Sequence, residues 1–140
     1  MTYATLRIFG EDLDPDEMTS RLGLRPSRSH RQGDPKPGAD RYEAQYGHPP
    51  SPYRQGYWSF ETEEALGEDA LTHIDQLLEI AEARGDELAK IREAGYSVDI
   101  FIFWPNWHGH GGPYLDAGRM TRLGNLGIAI SWDVYEAVDD

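Results

Sequence analysis

Residues 104–116, WPNWHGHGGPYLD, gather the side chains best suited to chemistry: Trp104 and Trp107, His108 and His110, and three glycines. Two imidazoles at i and i+2 on a strand face one side, and together they could ligate zinc or copper. A metal centre needs a third ligand, and no nearby residue supplies one at a standard spacing. The one close carboxylate, Asp116, is better suited to capping a helix. In a glycine-rich loop the two rings have no fixed direction. The stretch therefore reads as a strand-to-helix connection, and no metal is expected. A phosphate cradle fails too, because Pro113 has no N–H to donate and no P-loop lysine follows.

Other catalytic sets are no better represented. There is no cysteine, which excludes thiol nucleophiles, disulfides and Cys-based zinc sites. None of the serines at 20, 27, 29, 51, 59, 97 and 131 stands in a Gly-x-Ser-x-Gly elbow. Ser29 and His30 are merely adjacent in a proline- and arginine-rich loop. With 25 acidic residues in the chain, proximity of two carboxylates carries little meaning. The expectation leans away from an enzyme, and no cofactor is implied.

Charge narrows the partners. The net charge of −12 argues against nucleic acid and anionic membrane, where binding depends on Lys and Arg neutralising phosphates. The charge is uneven. Residues 25–54 hold six basic side chains (Arg25, Arg28, Arg31, Lys36, Arg41, Arg54) against three acidic ones (Asp34, Asp40, Glu43), a balance of +3 that leaves −15 elsewhere. This loop either lies over acidic surface of its own domain or contacts a small anion or acidic peptide through its arginines. The start MTYATLRIF does not resemble a signal peptide and no apolar run could span a membrane, so a soluble cytoplasmic protein is expected.

The elements that must position these residues follow from patterning. Tyr3–Phe9 reads as a first strand. Asp14 then caps a helix with Pro15 at its first position and Met18 and Leu22 inward, ending at Gly23. Residues 25–55 read as a long loop, with Arg41–Tyr46 a possible edge strand; a loop of this length is a place to expect function. Gly56–Thr62 is a second strand. Leu71, Ile74, Leu78 and Ala81, spaced 3, 4 and 3, predict a helix from near Glu68 to the break at Gly85. Asp86 caps a short helix that ends at Gly95. Ser97–Trp104, apolar on both faces, is the third strand and is stopped by Pro105. A last helix over about 116–123 leads to a fourth strand, Ile128–Tyr135.

Leu13-Asp14 followed by Met18-Thr19 is echoed by Leu115-Asp116 followed by Met120-Thr121. With directions counted along the chain, the echo predicts one α+β domain over 1–140. Its plan is ferredoxin-like: duplicated βαβ halves, a mainly antiparallel sheet, helices on one face, and an extra helical pair between the halves. The opposite face is expected to carry Ser59, Glu61, Asp133 and Tyr135, open to water or to a partner.

The order Leu13-Asp14-Pro15, Leu22-Gly23-Leu24-x-Pro26, Gly33, Gly56-x-Trp58-Ser59, Leu77-Leu78, Leu123-Gly124 and Ile128-x-Ile130-x-Trp132-Asp133-Val134-Tyr135 resembles the small bacterial proteins grouped as domain of unknown function 4279. The resemblance spans nearly the whole chain. It implies a compact α+β domain with no established enzyme activity and brings no catalytic residues. Gln32 stands where a basic residue is expected before Gly33, and the His-rich 105–111 segment is not typical of that family.

Two functional readings remain open. One is a non-catalytic protein-binding module, of the immunity type, whose acidity speeds association with a basic protein. The other is a small-ligand sensor or minor enzyme with a pocket between loops 25–55 and 104–114, lined by Arg28, His30, Arg31, Trp107, His108 and His110.

Overall fold

A computed structural model describes residues 1–106 and 111–136. Among these, β1 (Tyr3–Gly10), β2 (Arg28–His30), β3 (Gly56–Glu61), β4 (Ser97–Asn106) and β5 (Ala129–Glu136) form one sheet in the order β2-β3-β1-β4-β5. All neighbours are antiparallel except β4 and β5. The helices are α1 (Pro15–Leu22), α2 (Ala39–Tyr46), α3 (Ala70–Glu82), α4 (Gly85–Glu93) and α5 (Ala117–Leu126). The chain is an α+β protein with a mainly antiparallel sheet, and the α3–α4 pair falls between β3 and β4 as the spacing predicts.

The caps at Asp14 and Asp116 form where the sequence places them, and Asp69 is a further one. The cap expected at Asp86 is not formed: Asp86 lies in the first turn of α4, whose N-cap, Arg84, makes no side-chain capping bond. Asp14 accepts from the Asp16 N–H, Asp69 from Leu71 and Asp116 from Arg119, each satisfying an N–H that the first turn leaves unpaired. Gly23 and Gly127 close α1 and α5 in the left-handed region, which glycine adopts without strain. The echoed Leu-Asp…Met-Thr segments are therefore two capped helices.

The ferredoxin-like duplication is not what the strand order shows. That plan needs β1 and β3 to run parallel with another strand between them. Instead β3 lies directly against β1 and antiparallel to it, with Ile8 opposite Trp58. Counting one reversal per helix fails here because residues 24–55 are not a plain loop. They contain β2 and α2, and they turn the chain round before β3. At the other edge β4 and β5 are adjacent and parallel, Ile100 opposite Ile130, joined through α5.

Four local expectations also change. Residues 41–46 belong to α2, not to an edge strand. Ala39, Glu43, Ala44 and Gln45 favour a helix, and Gly38 and Gly47 bracket it at φ 77° and 78°. Gly85 opens α4 rather than ending α3; the break falls at Ala83-Arg84. Pro105 lies inside β4, two residues past Phe103, where pairing with β1 ends, so only one neighbour remains there. Gly124 sits within α5, which runs on to Leu126.

Alternation sorts each strand into two faces. Ala4, Leu6, Ile8, Trp58, Val98, Ile100 and Ile102 point into the core, where they meet Met18 and Leu22 of α1, Ile74, Leu77, Leu78 and Ala81 of α3, Leu88 and Ile91 of α4, and Leu123 of α5. The Trp58 Nε1–H donates to Thr19 Oγ1 at 3.0 Å, so the largest core ring leaves no buried donor unpaired. Buried His73 is satisfied likewise: Nε2 meets the Gly67 carbonyl at 2.7 Å and Nδ1 meets Thr62 Oγ1 at 2.6 Å, while that oxygen also accepts from the Ala4 N–H. This histidine ties α3 to the end of β3.

Candidate functional site

The other face of the sheet carries Arg28, His30, Tyr57, Ser59, Glu61, Tyr3, Thr5, Arg7, Phe9, Asp99, Phe101, Phe103, Ser131, Asp133 and Tyr135, by the same alternation and the pairing registers. Helices α1, α3, α4 and α5 all pack on the core side, and α2 buries no residue. The expected positions of Ser59, Glu61, Asp133 and Tyr135 on this face hold.

The side chains here are organised by ring contacts. Tyr3 stacks on Phe103 at 5.0 Å between centroids, and Phe103 meets Tyr135 at 4.8 Å. The negative charge of Asp133 and its hydrogen bond hold the Tyr135 hydroxyl above its usual pKa of 10.0. In the middle of the face the Arg7 guanidinium lies 4.6 Å from the Phe101 centroid and 5.5 Å from that of Phe9. Arg7 is also held by Asp99 through two bonds, at 2.8 and 2.5 Å. Small Thr5 and Ser59 are buried beneath this layer, while its rings are half-buried and Tyr135 is 49% exposed.

At the β2 edge the face deepens into a cavity of about 740 Å³ walled by Arg28, His30, Asp34, Pro37, Tyr53 and Tyr57 among others. Its back wall is a stack of three nearly parallel rings: His30 is 3.4 Å from Tyr53 and 5.4 Å from Tyr57. The stack is assembled by the backbone. Gly33 N–H donates to the Tyr53 carbonyl and Tyr53 N–H to the Asp34 carbonyl, which clips the 31–34 turn beside residue 53. The turn closes through the Arg31 N–H donating to Asp34 Oδ2 at 2.8 Å. Burial holds the His30 imidazole below its usual pKa of 6.5, against the opposing hydrogen bond to the Gln55 backbone and the charge of Asp34. His30 is thus neutral near neutral pH. Two of the expected site residues, Arg28 and His30, line this cavity. Arg31 does not: its guanidinium turns to the start of α1 and binds Asp14 at 2.9 Å and Asp16 at 2.8 Å.

Trp107, His108 and His110 lie outside the described residues. β2, beside the first loop, is an edge strand, and β4, which leads into the second, is separated from it by β3 and β1. The described part of the second loop, Gly112 to Tyr114, lines a separate cavity of about 220 Å³ with Asp69, Leu71, Trp104 and Trp132. Among the described residues, the large cavity is walled by side chains from residues 27–57. Among the described residues no three His, Asp or Glu side chains are grouped to hold a metal ion.

Patterning missed Arg7, Phe9 and Phe101. Their signal is present, because Arg7 and Phe9 alternate with buried Leu6 and Ile8, but alternation says nothing of the partners across strands. Lys36 and Arg54, counted among the basic residues of the loop but not placed at a pocket, line a depression with His30, Tyr53 and Tyr57.

The architecture defines a class: an α+β protein whose sheet is covered by helices on one face and bears an ordered layer of rings and charges on the other. The chain belongs to the family of the domain of unknown function DUF4279, whose family model matches residues 1–137. No curated protein and no solved structure matches it. Among the described residues no helix is long and apolar enough to cross a membrane.

Proposed function

We propose that this chain is a cytoplasmic, non-catalytic protein-binding module that holds its partner on the sheet face opposite α1, α3, α4 and α5. One observation carries the reading: two clusters of side chains, Tyr3 with Phe103 and Tyr135 and Arg7 with Phe9 and Phe101, stand on this face across β1, β4 and β5. Aromatic residues and arginine are the types enriched at binding anchors, and their mutual stacking fixes them before a partner arrives, which lowers the ordering cost of association.

The partner in this proposal is a basic protein. The chain carries −12 overall. Such a field accelerates encounter with a positive surface while the ring layer supplies the short-range contact. An immunity-type role, neutralising a basic toxin, is the form that this acidity favours.

The test is affinity capture from the native host with three baits: wild type, a face variant Phe101→Ala/Tyr135→Ala, and a helical-side variant Glu79→Ala. The expected result is one defined basic protein retained by the wild type and by Glu79→Ala but lost by the face variant. Retention of the same partner by the face variant, or no partner at all, would overturn the reading.

A further inference from the structure

The arginines of the helical side differ from those beside the large cavity, while Arg7 and Arg31 are held by Asp99 and by Asp14 and Asp16. On the helical side each has a partner: Arg21 on Glu87, Arg84 on the Leu22 and Ile80 carbonyls, Arg92 on the Gly127 carbonyl, Arg119 on Asp75 and Asp116, and Arg122 on Glu82. Around the large cavity the pattern reverses. Arg28 and Arg54 have no side-chain hydrogen bond or ion pair among the described residues, and Lys36 has only the face of Tyr53, at 5.9 Å. Arg28 lines the cavity itself, and Lys36 and Arg54 line the depression beside it. The cavity's own carboxylate, Asp34, is engaged in closing its turn.

The wall these cations surround is aromatic and rigid. His30 is fixed between Tyr53 and Tyr57, on a β2 strand itself pinned to β3 by Ser27 N–H on the Ser59 carbonyl at 2.7 Å and by Glu61 N–H on Ser27 Oγ at 2.8 Å. A flat ring against this wall gains stacking, and an anionic group on it meets cations that need no carboxylate displaced. The volume, about 740 Å³, lies within the roughly 300–1,000 Å³ of small-molecule sites. A long polyanion is disfavoured because it would also face the −15 that lies outside residues 25–54. A single anionic group can sit by Arg28 without reaching that acidic surface.

We infer that the cavity beside β2 binds a planar aromatic anion, an aryl or nucleobase ring bearing a carboxylate or phosphate. The ring lies against the Tyr53–His30–Tyr57 stack and the anionic group is held by Arg28, with Lys36 and Arg54 at the rim. This site is distinct from the protein-binding role proposed above and does not depend on it.

The test is an amide chemical-shift titration of the full chain with four probes. Adenosine monophosphate and indoleacetate carry ring and anion, with phosphate and carboxylate respectively; adenosine carries the ring alone and inorganic phosphate the anion alone. The expected result is saturable shifts at residues 28–30, 53 and 57 with at least one of the first two probes, and a Kd about tenfold or more below that of adenosine or phosphate, a change of about 1.4 kcal/mol. Which of the two binds identifies the anionic group. Arg28→Ala and Tyr53→Ala should each raise Kd about tenfold while leaving shifts in α3 and α5 unchanged. Absence of saturable binding by both ring-bearing anions, or affinity equal in wild type and Arg28→Ala, would overturn the inference. Either outcome leaves the capture experiment free to succeed or fail separately, since it reads retention of a protein through Phe101 and Tyr135.

Discussion

Trp58 and Tyr57 are neighbours on β3, yet they face different worlds. Trp58 is fully buried under α1 with its indole N–H satisfied by Thr19. Tyr57 stands on the open face, half-buried in a ring stack at the mouth of a cavity. The same contrast holds for charge. Arginines of the helical side are engaged within the fold, as Arg119 is by Asp75 and Asp116, whereas Arg28 across the sheet has no counter-ion among the described residues. One face has used its polar groups to hold the molecule together and the other has kept some of them free. Free polar groups and ordered rings are what a binding surface requires.

Substitutions can break or sharpen this contrast. The largest effect should come from Trp58→Ala, which empties a core site and removes the partner of Thr19; a loss of about 3–5 kcal/mol is expected in urea unfolding. Gly56→Ala should come next, at about 1–3 kcal/mol. A Cβ at Gly56 would lie 2.5 Å from the Leu13 carbonyl oxygen, a backbone atom that cannot swing away. Tyr57→Ala, one residue along on the open face, should cost only about 0.5–1.5 kcal/mol. A Tyr57 loss as large as that of Trp58 would erase the distinction between the faces.

Acid titration tests the helical side. The Arg119 hydrogen bonds, with its charge, hold the Asp75 carboxyl below the usual 3.8 despite partial burial. A depressed folded pKa means that the pair's stabilisation is complete above the unfolded value and disappears as pH falls through the folded one. Asp75→Asn should therefore be less stable than wild type at about pH 7, by less than about 1 kcal/mol because the pair is partly exposed, and the difference should vanish in strong acid. A difference that persists there would mean that packing, not charge, joins α3 to α5. The smallest effect on stability should be that of Arg28→Ala, within about 0.5 kcal/mol, since that side chain holds nothing in the fold.

The sequence showed the core faces well, because periods of 2 and 3.6 in residues such as Leu6, Ile8, Ile74 and Leu78 report burial directly. The caps at Asp14 and Asp116 were legible for the same local reason. Strand order was not. It depends on the path of residues 24–55, where a three-residue strand and a helix with no buried side chain leave almost no periodic signal. The candidate site was legible in halves. Arg28 and His30 stand out as a basic and an imidazole side chain in a proline-rich loop, but their assembly with Tyr53 and Tyr57 is a matter of backbone pairing across more than 20 residues. Arg31, chemically like Arg28, is spent on α1, and no local pattern separates the two.

Photo-crosslinking in the native host tests most directly whether a partner meets the sheet face opposite α1, α3, α4 and α5. A benzophenone side chain is placed singly at 57 or 131 on that face, or at 79 or 122 on the helical side. Adducts to one and the same protein from 57 and 131, with none from 79 and 122, are the predicted result. Adducts confined to 79 and 122 would contradict the account.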